Sequence, residues 1–140
     1  MGSYETFDHT ADVGLIIRAP DLDDLFATAA ASVVDYMVAD RSAVEPKTRE
    51  TVRLVAASLE DLLLAWLTEL IFKCETGHFL FAKFEVHVDE GSASLDATIW
   101  GEPFDRARHV ADHEIKAVTH HGSSLVREPG GWVARFILDI

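Results

Sequence analysis

Leu59, Leu62, Leu63, Trp66, Leu67, Leu70, Ile71 and Cys74 recur at three- and four-residue steps without a miss. Such spacing puts all of them on one side of a 3.6-residue helix. Ser58 with Asp61 three residues on is an N-terminal capping pattern, and Gly77 stands where a left-handed C-terminal cap belongs. Leu64 and Phe72 are apolar too, so the helix is predicted to be buried on more than one side. A helix this apolar must be covered by the rest of the chain, which constrains everything else.

A second helix is predicted from about Leu22 to Met37, with Asp21 as N-cap and Asp23 and Asp24 in the first turn. Its stripe is Leu22, Leu25, Phe26, Ala29, Val33 and Met37. The remaining segments read as strands. Tyr4–Phe7 and Val13–Ala19 flank a polar turn, Asp8-His9-Thr10-Ala11-Asp12, and Thr51–Ala56 precedes the apolar helix. Leu80 to Val88 and Ala93 to Ile99 alternate apolar and polar residues around Asp89-Glu90-Gly91, the pattern of a long antiparallel hairpin with one wet face. After a Gly101–Asp112 loop come Glu114–His120, Ser124–Glu128, a Pro129-Gly130-Gly131 turn and Trp132–Leu138. Strands joined by turns rather than helical crossovers predict an α+β fold, a mostly antiparallel sheet or pair of sheets packed on two helices. No repeat, low-complexity tract or linker divides residues 1–140, and one domain is the expectation.

The chain carries 12 Lys and Arg against 24 Asp and Glu, a formal net charge of −12. Phosphate backbones and anionic membranes are held by basic patches, so direct nucleic-acid or membrane binding is not expected. No apolar run approaches the roughly 18–20 residues that cross a bilayer, and the first residues lack a secretory pattern. Cys74 is the one cysteine, which rules out an intramolecular disulfide and a four-thiolate zinc site. A cytoplasmic location is the expectation.

The leading candidate for chemistry is a set of carboxylates from distant segments. Asp8 and Asp12 lie in the first predicted turn. In the last strand Ala134, Phe136 and Leu138 share one face, so Asp139 points to the other, beside the terminal carboxylate of Ile140. If that strand lies beside the N-terminal turn, Asp12, Asp139 and the terminus converge. An all-oxygen set of this kind prefers a hard ion, Ca²⁺ or Mg²⁺, over zinc. An Asp in a turn also commonly bonds the local backbone, and composition leaves both readings open.

His109 and His113 are four apart, a spacing used by zinc helices, but their segment has no strong apolar period and reads as exposed loop. His120 and His121 are neighbours on a predicted strand, where their rings point apart, and Asp8-His9 is weak as an acid–base pair because the two are adjacent. Lys116 sits on the polar face with Glu114, either as a solvated sheet lysine or as a cation facing an anionic partner. Glu69 borders the apolar face of its helix beside Trp66, and Cys74 reads as a buried small hydrophobe. No Gly-rich phosphate loop or nucleophile elbow is present.

Taken in order, Phe7-Asp8-His9-Thr10-Ala11-Asp12-Val13-Gly14, Trp66-Leu67-Thr68-Glu69-Leu70, Gly101-Glu102-Pro103-Phe104-Asp105, Glu114-Ile115-Lys116-Ala117-Val118-Thr119, His121-Gly122 and the closing Asp139-Ile140 resemble the archease family along essentially the whole chain. The resemblance implies a small acidic α+β protein that binds a divalent cation, usually described as calcium. It implies a cofactor of the RtcB-type RNA ligase, which uses GTP and a divalent metal in tRNA splicing and RNA repair. The implied role is to promote guanylylation of the ligase and its multiple turnover, with no ligase chemistry in this chain. Asp12 and Asp139 are implied as metal ligands, with Ile140 contributing through the terminus, and Lys116, Asp8, His9 and Glu69 as functional residues nearby. The chain departs from many relatives at His120, where they carry tyrosine.

Charge and resemblance converge on one expectation: a protein of net charge −12 assists RNA ligation by docking on a basic ligase surface, reaching RNA only through the ligase. A metal-dependent phosphoesterase and a general chaperone or interaction module are the alternatives from other classes.

Overall fold

The computed structural model describes residues 2–9 and 12–140, with Asp8 and His9 described by backbone alone. In chain order the elements are β1 (Ser3–His9), β2 (Asp12–Ala19), α1 (Leu22–Met37), a short 3-10 turn (Arg41–Ala43), β3 (Thr48–Val55), α2 (Leu59–Glu75), β4 (Phe79–Asp89), β5 (Ser94–Pro103), β6 (Ala117–Glu128) and β7 (Gly131–Asp139). They form a four-stranded sheet in the order β1-β2-β7-β6 and a three-stranded sheet in the order β3-β5-β4. Every pairing is antiparallel. Each helix packs against strands of both sheets and against the other helix, so the helices form the layer between them.

That layering explains the apolar surplus of α2. Leu62, Leu63, Leu64, Trp66, Leu67, Leu70, Ile71 and Cys74 are all buried. The Trp66 indole fills the helix–helix contact and donates from Nε1 to the Phe26 carbonyl at 2.9 Å. α2 is thus buried on more than one side, as expected, while Phe72 itself is 61% exposed, because only two flanks of α2 face sheets.

Both predicted N-caps are present. Asp21 accepts the Asp24 N–H, and the Ser58 hydroxyl accepts the Asp61 N–H. At the other end of α2 the left-handed residue is His78 (φ 51), not Gly77. Gly77 is required for space instead: a Cβ there would lie 2.5 Å from the Lys73 carbonyl oxygen. Asp23 serves beyond α1, taking the Val88 N–H on the free edge of β4 at 2.8 Å. Arg41 reaches the Ala82 carbonyl on the same edge, so α1 and the turn after it cover that edge.

Several strand boundaries differ from the sequence reading: β3 begins at Thr48 rather than Thr51, and β5 runs on to Pro103, since Gly101 pairs with Thr48 and Pro103 with Phe79, so the loop read from Gly101 starts later. The predicted turn at Asp8–Asp12 is narrower, since β1 runs through His9 and β2 begins at Asp12, paired His9↔Asp12; Thr10 and Ala11 lie outside the described residues. Ladder pairing with β2, itself held by β7, continues through residues whose polarity alone reads as turn. Glu114–Lys116 precede the strand, which starts at Ala117 and runs to Glu128 as one element. Between Thr119 and Ser124 its register shifts against β7, and His120–Ser123 loop out as a bulge. Gly122 lies there at φ 77, close over the Ile137 side chain, which is 4% exposed.

Candidate functional site at the carboxylate pole

β2 and β7 are neighbours, and their register sets Asp12 directly opposite Asp139. Leu15, Ile17 and Ala19 of β2 and Ala134, Phe136 and Leu138 of β7 fill the core, so the alternate residues, Asp12 and Asp139 among them, belong to the outer face. Both aspartates are half-buried, and Ile140 is exposed just beyond. Next along that face, Phe7 lies over Gly14, where a Cβ would stand 1.9 Å from the ring, and the Arg135 guanidinium caps the ring at 4.2 Å. The sequence expectation that the first turn and the last strand meet is fulfilled at the level of the backbone. Directly opposed like charges destabilise a strand pair unless something neutralises them.

The segment before β6 ties this pair to both helix ends. The Asp112 N–H donates to the Met37 carbonyl at the end of α1 at 2.8 Å, and the Ala39 N–H to the Val110 carbonyl at 2.9 Å. Farther on, the Ile115 N–H donates to the Glu75 carboxylate at the end of α2. Lys116 then donates its backbone N–H to the Asp139 carbonyl at 2.8 Å. Both helices therefore end against the segment that leads to Asp139, with their negative dipole ends on it. Burial, with Glu114 beside it, holds the Glu75 carboxyl above the ordinary carboxylate range.

Of the other sequence candidates, Lys116 is exposed and its side chain lines a small cleft with Ile71, Phe72 and Glu75. Its backbone, just ahead of β6 rather than on a strand face, is what joins it to Asp139. Glu69 is drawn elsewhere: it faces Lys73 at 3.6 Å, and Lys73 bonds Glu50 of β3 at 2.9 Å, in the other sheet. Asp8 and His9 pair through the backbone with Val13 and Asp12, and their side chains lie outside the described residues. Cys74 is buried and its thiol is pushed up to about 12, as expected of a packing residue. Among the described residues no three His, Cys, Asp or Glu side chains converge as a metal cluster.

His109 corrects the exposed-loop reading: it is 4% exposed. The Asp105 N–H donates to His109 Nδ1 at 2.9 Å, so the ring proton sits on Nε2, which faces Glu102 Oε2 at 2.9 Å. Glu102, 1% exposed, also accepts from the Arg108 guanidinium and from the Glu45 N–H at 2.8 Å. Hydrogen bonding to Arg108, then to Glu45 and His109, holds its carboxyl down at about 2. Sequence reasoning did not single out Glu102. A carboxylate at the apolar end of a hairpin, with Arg and His six and seven residues on, was the available signal. The network fixes the loop that leads to Asp112 and Lys116. His113 is exposed, as expected, and stacks on Tyr36 with ring centroids 4.3 Å apart.

Two antiparallel sheets around a helical layer, with carboxylates gathered at one pole, define the class: a small acidic α+β protein. The profile of the Archease protein family (MTH1598/TM1083) matches residues 4–140. The chain is 34% identical over 140 residues to protein archease of Sulfurisphaera tokodaii, covering all of both chains. It is 35% identical over 139 residues to protein archease of Methanopyrus kandleri, covering 98% of this chain and 99% of that one. The solution structure of Methanobacterium thermoautotrophicum protein 1598 superposes with a TM-score of 0.85 at 37% identity, covering 98% of each chain. A crystal structure from Thermotoga maritima, described as an archease and possible chaperone, superposes with a TM-score of 0.68 at 18% identity over 97% of this chain and 96% of that one, a likeness of fold. The chain belongs to the archease family.

Proposed function

We propose that this protein is a non-enzymatic cofactor of an RtcB-type, GTP-dependent RNA ligase, acting in tRNA splicing or RNA repair in the cytoplasm. The observation that carries the reading is the register pair Asp12↔Asp139 on the outer face of the four-stranded sheet. Two half-buried carboxylates set opposite each other, with the carboxylate of Ile140 next in the chain, are an oxygen donor set suited to a hard divalent ion, Ca²⁺ or Mg²⁺. When bound, such an ion neutralises the facing carboxylates and offers a Lewis-acid centre at the protein surface. Asp12 and Asp139 hold it, and the Lys116 backbone bond to Asp139 keeps that aspartate in place. The Lys116 side chain is left to meet an anionic group of the partner or its nucleotide.

The acidic pole then docks at the basic mouth of the ligase and favours attack on GTP by the ligase nucleophile. A net charge of −12 supports docking on protein rather than on RNA.

The test is nucleotidyl transfer from GTP to the ligase, with and without this protein and with Asp12→Ala and Asp139→Ala. Stimulation by the native chain, reduced at least tenfold in both variants, is the expected result. No stimulation at any concentration overturns the assignment. Turnover of a simple phosphate ester by the isolated chain would replace it with a hydrolase reading.

A further inference from the structure

Between the C-terminal ends of α1 and α2 lies a cleft of about 290 Å³ that the metal site does not use. Met37, Leu80 and Phe104 form its apolar floor, and Glu75, Asp112 and Glu114 stand around it. Met37 and Leu80 are 4% and 5% exposed, whereas Asp112 and Glu114 are open to solvent. His78 and His113 complete the walls, and His113 is engaged with Tyr36.

Three observations limit the occupant. First, the volume is at the low end of the ~300–1,000 Å³ of small-ligand pockets, room for one long side chain rather than a folded element. Second, the electrostatics favour a cation. Both helix C-termini end here; α1 has no basic residue in its last turn, and the one in α2, Lys73, is bonded to Glu50. Among the described residues no Lys or Arg lines the cleft or pairs with Glu75, Asp112 or Glu114. Third, the lining is amphipathic. A bare metal ion would leave the apolar floor unfilled, and a purely apolar ligand would strip water from the carboxylates without replacing it. An aliphatic stem ending in a planar cation satisfies both parts, with the Phe104 ring available beside it.

We propose that this cleft receives an arginine side chain presented by a protein partner. Its methylene stem lies on Met37 and Leu80, and its guanidinium is met by Glu75 and Glu114. Burial and the neighbouring Glu114 raise the Glu75 carboxyl, and the Ile115 N–H and His78 offset this only in part. This inference rests on the reading that the carboxylate pole docks on protein, and it makes the cleft an anchor beside the metal site.

The experiment uses the full chain, isotopically labelled, titrated with acetyl-Gly-Arg-Gly-amide and with the same peptide carrying neutral citrulline. The methyl resonances of Met37, Val38 and Leu80 should shift saturably with the arginine peptide, at an affinity at least fivefold above that for citrulline. Glu75→Gln with Glu114→Gln should weaken binding at least fivefold. Ala111→Leu, which adds bulk at an exposed wall residue, should do the same with the carboxylates intact. Equal affinity for the two peptides, absence of saturable shifts, or indifference to both sets of variants overturns the proposal. No ligase is present, so failure here leaves stimulation of the ligase standing, and failure of stimulation leaves these shifts to be measured.

Discussion

Glu102 shows how much one side chain can organise. Its carboxylate joins the Glu45 backbone, Arg108 and His109, and so fixes the loop that carries Asp112 and Lys116 toward Asp139. Because its carboxyl falls from about 4.5 to about 2 on folding, the unfolded chain binds the proton more readily. The stabilisation is complete above the unfolded value and fades as pH falls through that window. Glu102→Gln removes the charge while leaving the buried His109 and Glu45 donors to fewer acceptors. A loss of about 3 kcal/mol is expected at pH 7, in line with breaking a buried ion pair. Urea unfolding should show the gap between native and variant proteins narrowing from pH 5 toward pH 2; a gap independent of pH would contradict this account. The residue eluded sequence reading because its partners come from a loop whose spacing shows no period, whereas Asp139 was legible from strand alternation alone.

At the scale of elements, helices read well and strand ends poorly. Both helices followed from apolar period and caps, which are local properties. The end of α2 did not: His78 takes the left-handed conformation expected of Gly77. Two substitutions separate space from backbone conformation. Gly77→Ala should destabilise by about 1 kcal/mol or more, since its Cβ meets the Lys73 carbonyl. His78→Gly should stabilise by about 1 kcal/mol or less, by relieving a left-handed β-carbon. Thermal denaturation of both variants reads the two signs, and the reverse order would return the cap to Gly77. The β6 bulge was likewise illegible. Its register shift depends on what β7 presents across the ladder, which adjacent residues in sequence do not encode.

For the whole molecule, the decisive contact joins segments from opposite ends of the sequence, and alternation could suggest Asp12↔Asp139 but not guarantee it. Only sheet order makes the two strands neighbours. If facing carboxylates are the reason for the cation, the sign of a mutation depends on the ion. Asp139→Asn should raise Tm by a few degrees in chelator, by removing like-charge opposition. Millimolar Ca²⁺ should raise the Tm of the native chain and leave that of this variant unchanged. Calorimetry with and without chelator checks both. A variant less stable in chelator and still responsive to Ca²⁺ would place the ion elsewhere.

The strand order has a consequence for the protein's synthesis. The three-stranded sheet draws on residues 48–103, so all its strands are made before β6 and β7. Its four-stranded counterpart must wait longer, since β7, which belongs at its interior, is made after every other strand. Until β7 arrives, β2 waits with an open inner edge and the helical layer is roofed on one side only. Closing the second sheet and facing Asp12 with Asp139 are thus a single late event, so a nascent chain acquires its acidic pole only when its core is sealed.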